Sequence, residues 1–364
     1  MKTRAIQLIS AVLFLSSAGI PVVAAPWQYD GAATAAMMAY EMKYKVPNVA
    51  VAVSKNGQII YAKGFKWAGF PVPQNNGDDW VFRLASCSKP ITAIMAMELV
   101  QQGKLDLSKP IRHYVPFLLP THAYTVGDLM AHLAGVRHYR DGSDPTKDVD
   151  KNYKTAASAI MLFFLDPLVG HPREKYFYST HGFTVLAAAI EKVTGKSIAS
   201  HALSRFGSWG LMSLKPEMPG IPWPTRVPIY DEDNDKTDRD NLSWKYAGGG
   251  YEASVRDLCK LSDKLMKGQI INSTMLNQMW TSKTTKAGQS TGYGYGWSVG
   301  NESGRKVRSH SGSQRGSNSY WKVYPDDGVT VVVLTNRQGT QPGKLADYFS
   351  KLAFATGTAP KPDF

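Results

Sequence analysis

The chain has 364 residues, a formal net charge of +13 and 43% hydrophobic residues. At about 150 residues per domain, that length allows two domains or one large domain with an insertion. A charged fraction of 20% excludes a disordered chain, Gly 32 and Pro 21 exclude a collagen-like or low-complexity one, and Cys 2 excludes a disulfide scaffold or a thiolate-rich metal cage.

The N-terminus starts with Lys2 and Arg4, continues with an apolar stretch from Ala5 to Val23, and presents small residues at Ala24-Ala25 ahead of Pro26. This pattern predicts a secretory signal peptide over residues 1–24, with an uncleaved membrane anchor as the alternative. No later segment is long and apolar enough to span a membrane. Cleavage after Ala24 would remove Lys2 and Arg4 and lower the formal charge from +13 to +11. A periplasmic or secreted location is therefore expected, and the basic balance favours anionic surfaces such as cell wall or lipid headgroups. The sequence contains no nucleic-acid-binding motif. Cys87 and Cys259 both sit in apolar helical patterns and are read as buried free thiols rather than a pair.

In chain order, the pattern predicts a helix over Thr34–Tyr44 and a strand over Asn48–Ser54. A hairpin turn follows at Asn56-Gly57, and a return strand covers Gln58–Phe65. From Ser86 to Lys267 the chain reads as helix and loop. Helices are expected over Lys89–Gln102, stopped by Gly103, and over Thr180–Val193, stopped by Gly195. A capping box at Ser254-Val255-Arg256-Asp257 opens another helix, which ends at Gly268. Between them, Trp209–Asn241 carries Pro216, Pro219, Pro222, Pro224 and Pro228 and is read as a long irregular segment. At the C-terminal end the order is a strand over Ser319–Tyr324, a turn over Pro325–Gly328, a strand over Val329–Thr335 and a helix over Leu345–Phe354. The expected fold class is α/β (α+β). An antiparallel sheet is built from residues 25–85 and 268–364 and flanked by helices. A mainly helical region, 86–267, is inserted, and the active site lies between the two.

Three segments carry candidate chemistry. Ser86-Cys87-Ser88-Lys89 is one of three Ser-x-x-Lys matches. In a helix, positions i and i+3 share a face, so a desolvated lysine there can take the serine proton. Ser319/Lys322 lies on an expected strand, where i and i+3 face opposite sides, and Ser303/Lys306 lies in a turn. Only Ser86/Lys89 opens a helix, with Pro90 tolerated in its first turn. Alone, the spacing also fits a capping serine beside an exposed lysine. Tyr178-Ser179-Thr180 stands at a loop-to-helix junction, where a phenol can relay protons. Ser309-His310-Ser311-Gly312-Ser313 precedes the Ser319 strand. Its small residues let a substrate approach a strand edge, where a backbone N–H can complete an oxyanion hole. Taken alone, this last segment reads as a Ser/Gly-rich loop.

In this order the three segments resemble the serine β-lactamase and penicillin-binding-protein superfamily, within its class C β-lactamase, D,D-peptidase and esterase branch. The match extends to Phe82-Arg83-Leu84-Ala85-Ser86, to Thr125–Val136, and to Arg137-His138-Tyr139. It also includes Tyr178–Ala187 and Lys245-Tyr246-Ala247-Gly248-Gly249-Gly250. The last three of these stretches are similar to the mitochondrial serine β-lactamase-like proteins and their bacterial relatives. The resemblance implies a β-lactamase/transpeptidase-like fold and a serine hydrolase working through an acyl-enzyme on peptide, amide or ester substrates, D-Ala-D-Ala-like peptides among them. It implies Ser86 as nucleophile, Lys89 as general base and Tyr178 as proton shuttle. The oxyanion hole would be formed by the N–H groups of Ser86 and Ser313. His310 would set the electrostatics and contact substrate, with Thr180, Ser311, Gly312 and Arg315 as substrate-binding residues.

Two departures matter. Thr180 replaces the asparagine of the branch's Tyr-x-Asn, and His310-Ser311-Gly312 replaces Lys-Thr-Gly. Both turn the expectation from efficient lactam hydrolysis towards a peptidase or esterase. A carboxylesterase, a weak β-lactamase and a non-catalytic penicillin-binding or assembly protein are the alternatives. The expected partners are a peptide or ester substrate, cell-wall peptides included, with no nucleic acid. His132 and His138 are read as structural histidines, and Gly248-Gly249-Gly250 as backbone packing rather than a phosphate loop. No metal or cofactor is expected, since no His-Glu-x-x-His or comparable cluster occurs.

Overall fold

The computed structural model describes residues 27–71, 77–140, 151–218 and 220–364. The expected signal peptide lies outside the described residues. The first helix, α1 (Asp30–Tyr44), begins ahead of the expected Thr34, with Asp30 in its first turn, where a carboxylate suits the helix dipole. Strands β1 (Asn48–Lys55) and β2 (Gln58–Lys66) form the expected hairpin. Asn56 and Gly57 both have positive φ, 49° and 84°, the backbone of a type I′ turn.

Next come β3 (Phe82–Arg83), α2 (Ser88–Gln101), α3 (Val126–Met130), α4 (Ala156–Ile160), α5 (Thr180–Thr194) and α6 (Ile198–Ser208). The Trp209–Asn241 segment is irregular apart from three short strands, β4 (Lys215–Pro216), β5 (Ile229–Tyr230) and β6 (Lys236–Thr237). The chain continues through α7 (Tyr246–Gly249), β7 (Tyr251–Ala253), α8 (Val255–Met266) and α9 (Ser273–Met279). It closes with β8 (Ser298–Glu302), β9 (Arg305–Gln314), β10 (Ser317–Tyr324), β11 (Val329–Thr335) and α10 (Pro342–Phe354).

The main sheet runs β2-β1-β11-β10-β9-β8 with every neighbour antiparallel, so both ends of the described chain build it. Its central strands are buried on both faces, which explains why β1 and β11 read as nearly continuous apolar runs. Val49, Val51, Val53, Val329, Val331 and Val333 pack against α1 and α10. Ala50, Ala52, Val332 and Leu334 face the opposite way, into a core shared with α2, α5 and α8. Trp321 on β10 joins that second core, and its indole N–H donates to Ser262 Oγ of α8 at 2.9 Å. The helical region therefore has no core separate from the inner face of the sheet.

Only half of the expected capping box at Ser254 forms. Ser254 Oγ accepts from the Asp257 N–H at 3.3 Å. The Asp257 carboxylate turns instead to Ser213, accepting from both its N–H and its hydroxyl at 2.7 Å. A tertiary partner has displaced the local one, and the Ser254 N–H donates to Ser213 Oγ at 3.0 Å. Cys87 and Cys259 are free and buried. The Ser309–Ser313 stretch is not a loop but part of β9.

Candidate active site

The segment leading to Ser86 is fixed before the serine is reached. Arg83, on β3, is buried and donates to both carboxylate oxygens of Glu217 at 2.7 Å. It also donates to Asp240 Oδ1 at 2.7 Å and to the Arg315 carbonyl at 3.1 Å. The carbonyls of Arg83 and Leu84 accept from Ser317 Oγ at 2.6 Å and Ser319 Oγ at 2.7 Å. The Leu84 N–H donates to the Tyr251 carbonyl at 2.9 Å. These bonds hold Ala85 at φ 47°, a left-handed conformation that costs a non-glycine residue about 1–2 kcal/mol. Ser86 follows in a single 3₁₀ turn over Ala85–Cys87, so it lies just ahead of α2 rather than inside it. It is half-buried, and therefore reachable.

Lys89 stands in the first turn of α2 and is completely buried. Its Nζ has three neighbours: Ser86 Oγ at 3.0 Å, Thr180 Oγ1 at 3.1 Å and the Gly248 carbonyl at 2.6 Å. Burial, reinforced by the positive charge of Lys245, pushes its pKa well below the usual lysine range, and it makes no ion pair with a described residue. A neutral amine has two N–H donors and one lone pair. It therefore donates to Gly248 and Thr180 and leaves the lone pair to accept the Ser86 O–H. Gly248 has to be glycine for this contact, because a Cβ there would come within 2.8 Å of Thr180 Cγ2 and 3.0 Å of the Thr180 carbonyl.

Tyr178 lies on the other side of the serine. Burial raises its phenol well above the ordinary tyrosine range, opposed by a hydrogen bond with Ser86. Its ring covers the Lys89 amine, with Nζ 4.7 Å from the centroid. Two histidines hold the Tyr178–Thr180 corner. His132 Nδ1 accepts from the Ser179 N–H at 3.1 Å, and its ring packs 4.4 Å from that of Tyr178. His138 Nδ1 accepts from the Thr180 N–H at 3.2 Å. Ser179 caps α5, its Oγ accepting from the Gly182 N–H at 2.9 Å.

Strand β9 closes the site. β8 pairs with β9 only as far as Ser309, so the edge from His310 to Gln314 has no strand partner among the described residues. Gly312 is buried against the Ser86 segment: a Cβ there would overlap Ser319 Oγ and the Leu84 carbonyl and come within 3.0 Å of Ala85 Cβ. That close approach sets Ser313, which is exposed, beside Ser86.

The expected residues do not all take their expected places. Ser86, Lys89 and Tyr178 converge, with Gly312 and Ser313 alongside. His310 differs. Its ring is buried, Nδ1 donates to the Ser311 carbonyl at 2.6 Å, and Nε2 accepts from the Tyr293 hydroxyl at 2.9 Å. Burial lowers its pKa to about 3. It is a neutral ring with both nitrogens taken, so it orients β9 and Tyr293 and presents no nitrogen to substrate. Thr180 is also buried, with its Oγ1 3.1 Å from Lys89 Nζ. Ser311 and Arg315 are exposed, and the interaction that ties Arg315 to the site is made by its carbonyl, through Arg83. Sequence reasoning missed Tyr293 and the Gly248 carbonyl, and it gave His132 and His138 no connection to Tyr178. The Gly248-Gly249-Gly250 run was a signal of close packing, but nothing local showed that a lysine would be its partner.

A buried neutral amine sharing a serine proton would equip that oxygen to attack a carbonyl, which is the chemistry of a serine hydrolase. The sequence model of the beta-lactamase family matches residues 31–355, and the chain belongs to that family. It is 25% identical over 410 residues to the mitochondrial serine beta-lactamase-like protein LACTB of Mus musculus, covering 80% of this chain and 74% of the relative. It is 29% identical over 160 residues to the teichoic acid D-alanine hydrolase of Staphylococcus aureus strain MRSA252, covering 44% of this chain and 38% of that protein. Its fold is similar to that of the octameric penicillin-binding protein homologue from Pyrococcus abyssi, with a TM-score of 0.76 and 24% identity over 89% of this chain and 77% of the other. Among the described residues no helix is long and apolar enough to cross a membrane.

Proposed function

We propose that this hydrolase cleaves D-alanyl-type amides or esters through an acyl-enzyme on Ser86, and that it works outside the cytoplasm. The observation that carries the mechanism is the 3.0 Å contact between Lys89 Nζ and Ser86 Oγ, with the lysine buried and without a carboxylate partner among the described residues. The teichoic acid D-alanine hydrolase among its relatives supports a D-alanyl acyl donor. The leader-like pattern over residues 1–24 supports export.

In this mechanism Lys89 takes the Ser86 proton as Oγ bonds to the substrate carbonyl carbon. The carbonyl oxygen becomes an oxyanion, held by the N–H groups of Ser86 and of Ser313 on the open edge of β9. As the bond to the leaving group breaks, the proton passes to that group by way of Tyr178. Water then attacks the ester carbonyl, gives its proton back through the same groups, and frees the acid and Ser86. The neutral state of Lys89 is what the first step needs, since an ammonium cannot accept a proton.

Steady-state turnover of D-alanyl amides and esters, their L-counterparts and a chromogenic cephalosporin tests the substrate assignment. The D-alanyl compounds are expected to have the highest kcat/KM, and Ser86→Ala to abolish their turnover. A preference for the L-compounds or for the cephalosporin would overturn it.

A further inference from the structure

One cavity lies away from Ser86. It measures about 560 Å³, and its lining includes Thr125, Asp128, Arg173, Gln278, Lys283 and Tyr295. The Lys283 ammonium is half-buried and unbalanced. It donates to the Gln278 carbonyl at 2.7 Å and lies 3.9 Å from the centre of the Tyr295 ring, but makes no ion pair with a described residue. Arg173 is exposed, and among the described residues its one ion-pair contact, with Asp128 at 3.8 Å, is too long for a hydrogen bond. The same Asp128 carboxylate is already engaged by the N–H and hydroxyl of Thr125, at 3.0 and 2.8 Å. Two cations therefore face one committed carboxylate across a cavity large enough for a small molecule. Burial lowers the Lys283 pKa to about 8, as expected for an ammonium without a counter-ion.

We infer that this cavity binds a small oxyanion between Lys283 and Arg173, and that the bound anion acts on the Tyr178 wall from behind. The path is short. The cavity wall includes Ala131 and Leu133, on either side of His132. Arg173 N–H donates to the Leu133 carbonyl at 2.7 Å, and Lys283 N–H to the Tyr293 carbonyl at 2.8 Å. His132 in turn packs on Tyr178 and binds Ser179, while Tyr293 holds His310. His132 itself has φ 57°, so a small shift in its neighbours acts on an already strained residue. Arg173 is thus joined through its backbone to the neighbour of His132, and Lys283 to Tyr293, whose ring packs on His132 with centroids 4.9 Å apart. The consequence for catalysis rests on the role proposed for Tyr178, but the binding site does not.

The test uses inorganic phosphate at constant ionic strength and the Ser86→Ala protein, so that catalysis plays no part. Calorimetry is expected to give saturable binding, weakened about ten-fold or more by adding Lys283→Ala or Arg173→Ala, the loss of one charge-assisted contact. The His132 imidazole resonances should move with the same midpoint. Binding that is absent, or that is unchanged when Lys283 is removed, overturns the site. Binding without movement of His132 overturns the coupling. If wild-type protein fails to acylate while phosphate binds as described, the catalytic reading falls and the anion site stands.

Discussion

Lys89→Met is expected to slow acylation of Ser86 by about 100- to 10,000-fold, the range over which a positioned general base contributes, without lowering the melting temperature. Methionine fills similar space and needs no hydrogen-bond partner, although the Gly248 carbonyl then loses a donor. The wild-type lysine also carries a cost. In the unfolded chain it keeps its proton up to about pH 10.4, whereas in the folded protein burial and Lys245 make it release that proton at much lower pH. Between those two values the unfolded state binds more protons, so the wild type gains stability as pH rises through that interval. Methionine is free of this dependence. The stability advantage of Lys89→Met should therefore be larger at pH 7 than at pH 10. Rates from stopped-flow acylation and denaturant melts at pH 7 and pH 10 check both parts. A variant that acylates at the wild-type rate would remove Lys89 from the mechanism.

Arg83→Met is expected to destabilise the protein by about 3–5 kcal/mol, the cost of stripping the partner from a buried charge, and to lower acylation further than the stability loss explains. Burial opposes ionisation of Glu217 and Asp240, but Arg83, together with Arg239 at Glu217 and Lys245 at Asp240, more than offsets it and holds both carboxyls below their usual range. Without Arg83, Glu217 keeps Arg239, at 2.8 Å, and Asp240 loses its ion pair. Carboxylates with lowered folded pKa values contribute stability above the unfolded pKa and lose it as pH falls through the folded one. The gap between wild type and variant should thus be widest at neutral pH and narrow in acid, as urea melts at pH 7 and pH 4 can measure. The catalytic loss has a separate cause. Arg83 joins the backbone that carries Ser86 to the Arg315 carbonyl at the end of β9, so its removal loosens the spacing between the two N–H groups assigned to the oxyanion hole. A variant that is destabilised but acylates normally once folded would limit Arg83 to stability.

What the sequence disclosed depended on how local the cause was. Asn56-Gly57 set its own turn because two adjacent residues favour positive φ, and Val329–Thr335 announced a strand because each of its residues is buried. Ser86 and Lys89 were legible for the same reason: three residues apart, they meet whether the turn is 3₁₀ or α. The start of α1 was missed because Asp30 and its neighbours carry little periodic signal, and the helix is supported by the sheet it packs on. The Asp257 carboxylate was assigned to Ser254 by proximity in sequence, whereas Ser213 binds it from a distant loop. The partners of His310 were not legible. Its place in the motif suggested contact with substrate, but Tyr293 and the Ser311 carbonyl occupy its ring nitrogens. The clamp of Arg83 on Glu217 and Asp240 was invisible for the same reason, because no spacing rule links residues so far apart.

The central claim is that Ser86 is a nucleophile activated by a neutral lysine. Intact-protein mass spectrometry after treatment with a fluorophosphonate tests it most directly, using wild type and Ser86→Ala. The account predicts one adduct on wild type, mapped to the peptide carrying Ser86, and none on the variant. An unmodified wild type, or an equal adduct on Ser86→Ala, would contradict it.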